Sequence, residues 1–189
     1  MTYPSTQSRH DTWALDPQHC QVEFAVRHMM ISTVRGRFGR VSGIVLMDPA
    51  ELATASAEVS IDAASIDSGL AIRDDHLRSP EFLDVERYPV IGYRTAQVDL
   101  LRPGIYAVQG ELSIRGVTRE VSLSVESAGL VTDPWGMQRA GFSATTRIRR
   151  TDFGLTWNAA LETGGVAVGD EVRITLDVEL LRDASSRAA

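Results

Sequence analysis

Apolar and polar side chains alternate along much of this chain. Val22, Phe24, Val26 and His28 fall on one side of an extended segment while Gln21, Glu23, Ala25 and Arg27 fall on the other, which is the two-residue period of a half-buried strand. The same period returns in Tyr106, Val108, Gly110, Leu112 and Ile114, in Val121, Leu123 and Val125, and in Val172, Ile174, Leu176, Val178 and Leu180. Weaker alternation predicts strands over 41–47, 57–61, 90–100 and 140–149, which brings the tally to about eight. Between them stand Asp48-Pro49, Arg102-Pro103-Gly104, Arg115-Gly116, Asp133-Pro134-Trp135-Gly136 and Gly164-Gly165, residues that fix or permit the φ values of turns. Helix is scarce: one turn over 49–53, and a short apolar helix in which Ser79 would cap and Pro80 would open the run to Leu83.

Short spacings and the lack of any βαβ crossover predict an all-β fold, a single antiparallel up-and-down sheet of about eight strands with one or two short helices. Such a sheet, apolar on one face, closes into a barrel or stacks as a sandwich, and periodicity alone does not choose. A chain of 189 residues suits one domain. The expected body spans residues 13–182, with tails at 1–12 and 183–189.

Charge and residue usage then remove whole classes of function. The net charge of −6 argues against a nucleic-acid partner. All 19 basic residues are arginine, so Schiff-base chemistry and a phosphate-loop lysine are excluded together. Cys20 is the single cysteine, which leaves no internal disulfide or redox pair. Histidines at 10, 19, 28 and 76 show no short metal-ligand spacing. Residues 1–16 carry no apolar signal core and no long uncharged apolar run follows, so a cytoplasmic protein without stable membrane insertion is expected.

Motifs spread along the chain resemble one family. They are Trp13 to His19, Val22 to His28, Val34 to Gly39, Ser65 to Gly69, Arg73 to Asp84, Tyr88-Pro89, Gly110 to Thr118, Gly141-Phe142 and Arg150 to Leu155. In order and spacing the chain resembles the YceI-like polyisoprenoid-binding domains from Trp13 to Leu180. The resemblance implies a lipocalin-like barrel whose lumen holds a polyisoprenoid, quinone-like or polyprenyl phosphate, or a similar long-chain lipid. It implies no catalytic residue set and no cofactor apart from that lipid. Cys20 departs from the pattern, since the family usually has serine there.

Candidate ligand-binding residues follow. Val22, Phe24, Val26 and Phe142 supply apolar lining, although each taken singly could equally be packed core. His28 ends the inward stripe of its strand, as a satisfied core histidine or as a head-group contact at the lumen mouth. Arg73 and His76 sit before the short helix and could donate to a phosphate, or Arg73 could pin a loop by pairing with Asp74 or Asp75. Phe82, Leu83 and Tyr88 form a gate or a permanent cap, and Phe153 and Trp157 wall the cavity or cover a seam with Trp13. A non-catalytic lipid carrier is expected; the alternative is an isomerase or hydrolase acting on a lumen-bound lipid with His28 as acid or base. A solid barrel that binds protein through its outer face stays open, as does a homodimer.

Overall fold

The computed structural model describes residues 10–160 and 165–183. The expected tails lie largely outside them, as does Gly164. The elements are β1 (Asp11–Leu15), β2 (Gln21–His28), β3 (Ser32–Phe38), β4 (Val41–Met47), β5 (Ser56–Asp62), β6 (Ile66–Asp67), α1 (Ala71–Arg78), β7 (Val90–Arg102), β8 (Ile105–Ile114), β9 (Val117–Thr132), β10 (Gln138–Arg149) and β11 (Val168–Arg182). Three single 3-10 turns cover Leu52–Thr54, Ala63–Ser65 and Arg150–Phe153.

These segments form a closed antiparallel barrel of eight wall strands. β1 and β2 both run along β11, with Leu15 opposite Leu180 and Gln21 opposite Asp177. They are two halves of one wall strand, broken at residues 16–20. The second wall strand is β3 with β4 and the third is β5 with β6, since β2 pairs β3, β1 pairs β4, β4 pairs β5 and β3 pairs β6. From β7 to β11 each strand pairs its neighbour in order. Pairing of β11 back onto β1 and β2 closes the ring, which leaves no full-length free edge.

Two expectations need correction. β1, β3 and β6 lie outside the predicted strands: β1 has five residues and β6 two, and in β3 Arg35 and Arg37 flank Gly36 and hide the apolar alternation. The helix also lies earlier than expected. α1 occupies Ala71–Arg78, and Ser79 closes it by donating its N–H to His76 O at 3.1 Å. Pro80 marks the end, not the start, because the residue before a proline is pushed out of helical geometry.

The break between β1 and β2 is held by charge. The Asp16 carboxylate accepts the Gln18 N–H at 3.0 Å, lies 2.9 Å from His19 Nδ1 and is 3.0 Å from Arg139 Nη1. Arg139, on β10, also bonds Asp133 through Nε at 2.9 Å and Glu179 of β11. One guanidinium therefore ties β10, β11, the β9–β10 turn and the break together. His19 and Gln18 hold the Asp16 carboxyl below its ordinary value of 3.8, with Arg139 adding to them; Arg139 does the same for Asp133.

Carboxylates with lowered folded pKa stabilise the fold above their unfolded values, and that contribution is lost as pH falls through the folded ones. Replacing Arg139 with Gln is expected to move the acid-unfolding midpoint, followed by circular dichroism, to higher pH. An unchanged midpoint would show that the cluster does not support closure.

Candidate functional site: the barrel lumen and its lid

The inner face of the wall is apolar, yet much of it is not packed. Val108, Leu123, Phe142, Leu176 and Val178 all face inward and all remain only half-buried. Their residual surface faces a cavity of about 330 Å³ that runs from the turn at Leu52–Thr54 to the lid over the opposite end. An eight-stranded barrel is just wide enough for its side chains to fill, so this interior is underfilled. Its volume lies at the low end of ligand sites, which span roughly 300–1,000 Å³.

Packing is tight above and below. At the lid end Leu83, Ile114, Phe153 and Leu155 are buried, and at the other end Trp13, Met47, Ala140 and Leu180 are nearly inaccessible. The lid consists of α1, the loop to β7 and the segment after β10. Arg78 fastens α1 to the wall by donating from Nε to Ala64 O and from Nη2 to Ile66 O. Arg115, in the β8–β9 turn, bonds Gly154 O and Pro80 O and so ties two lid segments. The ring edge of Tyr88 covers Gly116 in the same turn.

Arg150 is the charged residue most deeply set among the described residues, at 4% exposure. Its guanidinium donates to the carbonyls of Leu155, Trp157, Val168 and Gly169. It thereby folds the segment after β10 back over the barrel end. Burial pushes its pKa down, against the pull of Asp170. The sequence shows this residue beside Arg147 and Arg149, whose side chains ion-pair on the outer surface. The 3-10 turn at Arg150–Phe153 is what rotates Arg150 inward.

Of the residues singled out from the sequence, Val22, Phe24, Val26, Phe82, Leu83 and Phe142 line the cavity. His76 and Trp157 lie in the lid, where their rings meet edge-to-face at 4.7 Å and Phe82 completes a trio. His76 Nε2 is also 2.6 Å from Glu81. The rest stand off the wall. Arg73 is spent on Ser68, whose hydroxyl and carbonyl it bonds, and Asp74 accepts from the same serine; the expected pairing of Arg73 with Asp74 or Asp75 is not among its contacts. His28 sits half-buried at the β2–β3 hairpin, Tyr88 packs on a turn, and Phe153 is core at 1% exposure.

Polar groups on the wall are few. Cys20 lines it and donates Sγ–H to Glu179 O at 3.4 Å, and burial raises its thiol pKa, which keeps it protonated and a weak nucleophile. Thr146 donates to Ser122 O at 2.8 Å. Tyr93 also faces the lumen, and the sequence reading passed over it. Asp16, His19 and Glu179 come within 4.8 Å of one another outside the lumen, but the Arg139 guanidinium already lies between the two carboxylates.

A YceI-like domain model matches residues 13–180. The chain belongs to the YceI-like family. A UPF0312 protein of Vibrio cholerae is 38% identical to it over 137 residues, 72% of each chain, and one from Shewanella denitrificans is 36% identical over the same length. Among solved structures, Burkholderia cenocepacia BcnA superposes with a TM-score of 0.77 at 25% identity, covering 87% of this chain and 98% of that one. The Campylobacter jejuni YceI protein gives 0.72 at 27%, covering 83% and 90%. A Saccharophagus degradans polyisoprenoid binding domain gives 0.70 at 17%, covering 92% and 100%, a likeness of fold. No helix among the described residues is long and apolar enough to cross a membrane.

In this YceI-like barrel the His76–Phe82–Trp157 trio holds two lid segments against each other. Aromatic pairs contribute about 0.5–1.5 kcal/mol each, so Trp157→Ala is expected to speed escape of the apolar dye N-phenyl-1-naphthylamine from the lumen roughly tenfold. Stopped-flow fluorescence would measure it. An unchanged escape rate would mean that the dye leaves elsewhere.

Proposed function

We propose that this barrel is a carrier that holds a long-chain lipid, polyisoprenoid or similar, non-covalently in its lumen and performs no chemistry on it. The observation that carries this reading is the inward-facing apolar wall that keeps exposed surface around a continuous cavity of about 330 Å³. A ligand that fills such a space gains about 0.8 kcal/mol per buried methylene, and it must bring few polar atoms, since each unpaired one is costly to bury. An isoprenoid or acyl tail meets both conditions. The fold-level neighbour described as a polyisoprenoid binding domain supplies the ligand class to test first.

The enzymatic alternative finds little support in the wall. It named His28 as acid or base, yet no histidine lines the cavity among the described residues. The cysteine that does so is held protonated by burial.

Native purification followed by organic extraction and mass spectrometry is expected to yield one long-chain lipid at near-stoichiometric amount. Ala144, buried on the wall opposite Leu176, gives the matching control. Overpacking there costs about 1–3 kcal/mol, so Ala144→Phe should weaken uptake on the order of tenfold while the barrel still folds. A protein that is repeatedly lipid-free and takes up no added polyprenyl lipid would end the carrier reading.

A further inference from the structure

The β2–β3 hairpin ends in Met29, Met30 and Ile31, all exposed, Ile31 at 82%. Nothing in the turn calls for these side chains. Ile31 donates its N–H to His28 O, and Met29 and Met30 take φ of 50° and 61°, left-handed backbone that glycine or asparagine enters at lower cost. The tip therefore carries apolar groups against the preference of its own backbone. Val166 is exposed beside it, where Met29 donates its N–H to Ala167 O, and Leu70 and Ile72 of the lid are exposed at the same end of the barrel.

A band of arginine borders this tip. Arg27 stands on the outer face of β2 and donates to Met30 O and Thr33 Oγ1. Two residues back, about 7 Å along the strand, Ala25 lies between Arg35 of β3 and Arg173 of β11, and Arg173 is itself opposite Arg147 of β10. Like charges set directly opposite one another work against a sheet. Arg147 is matched by Glu171, Arg37 by Asp67 and Arg149 by Asp170. Arg27, Arg35 and Arg173 are exposed and have no carboxylate partner among the described residues. The nearest unmatched acid, Glu23, lies one row further from the tip, opposite Arg37. Three unpaired cations thus gather under an apolar tip in a chain whose net charge is −6.

We infer that this end of the barrel docks on an anionic lipid bilayer, with Met30 and Ile31 entering the acyl boundary while Arg27, Arg35 and Arg173 meet the phosphates. The apex lies within about 10 Å of Arg27, three residues along the chain, which matches the depth of roughly 5–10 Å to which interfacial segments bury their apolar side chains. A convex tip suits a fluid surface that closes around it. The opposite end also exposes a large apolar group, Trp135 in the β9–β10 turn, but acids prevail there: Asp16, Asp133 and Glu179 share the one guanidinium of Arg139, so an anionic surface is repelled. Docking of this kind does not depend on what the lumen holds, and it brings the lid of a lipid carrier to the surface from which a long-chain lipid would come.

The test sediments the full-length protein with vesicles of phosphatidylcholine alone and of phosphatidylcholine with phosphatidylglycerol in equal parts. Wild type is expected to bind the anionic vesicles, the neutral ones much more weakly, and to be released as salt rises. An arginine near an anionic surface is worth about fivefold in affinity, so Arg35→Gln/Arg173→Gln should weaken binding roughly twenty-five-fold. Met30→Ser/Ile31→Ser should weaken it by about tenfold or more. Both variants, altered only at exposed positions, should keep the wild-type circular dichroism and uptake of N-phenyl-1-naphthylamine, and Trp135→Ala should bind vesicles as wild type does. Equal binding of wild type to the two vesicle types, unaltered binding by either double variant, or loss of binding in Trp135→Ala would overturn the assignment and leave the carrier reading intact, since lipid uptake without vesicles tests that reading separately. Binding to neither vesicle type would also overturn it, and a dimer lost in the tip variant would then give the tip to a second copy of the chain.

Discussion

Closure of the sheet is the constraint on which everything else depends. A sheet of eight strands with one apolar face has no stable open form in water, because its edges expose unpaired backbone groups and its inner face exposes hydrocarbon. In this chain the closing strand is the awkward one. β1 and β2 share one partner, β11, and between them the backbone leaves the ladder for five residues. Within the break Asp16 donates its N–H to Glu179 O and His19 donates to Asp16 O, while the Asp16 carboxylate takes the Gln18 N–H and an arm of Arg139, which also reaches Asp133 and Glu179. An electrostatic cluster outside the barrel therefore holds the break in the closing strand.

Alternation made most of that barrel legible. β2, β8 and β11 carry two-residue periods, and alternation puts Val22, Phe24, Val26 and Phe142 on the inward face, which the resemblance made a lumen and where the structure also has them. What escaped was non-local. β3 contains Gly36 opposite Phe24, and a Cβ at that glycine would fall within 2.4 Å of the phenylalanine ring; the strand looks weak because its inner position is filled from across the ladder. The helix was misplaced because Ser79 and Pro80 read the same way at a start as at a stop, and only the bond from Ser79 N to His76 O distinguishes them.

The candidate site was less legible than the fold, for a related reason. Polarity in the sequence directs attention to His28, Arg73 and His76. In the folded chain polar chemistry is mostly consumed by structure. Arg73 and Asp74 converge on Ser68, and Arg150 gathers four carbonyls. Tyr93 attracts no notice in sequence, since a tyrosine in a strand is ordinary. Its inward place comes from β7, where it stands opposite Val59 and Leu112 with its ring against Gly110. The inward register it shares with Ile91 and Thr95 was the one available signal.

Stability and ligand capacity are also separated in space. The residues near zero exposure lie in two layers, Trp13, Met47 and Leu180 at one end and Phe153 with its neighbours under the lid at the other. Between them much of the wall, Val108, Leu123, Phe142, Leu176 and Val178 among it, is only half-buried. Close packing is where a lost methylene is felt most, so substitutions in the two end layers act on folding, whereas those in the middle act first on the shape of the cavity. A barrel built this way can change what it holds without losing what holds it together.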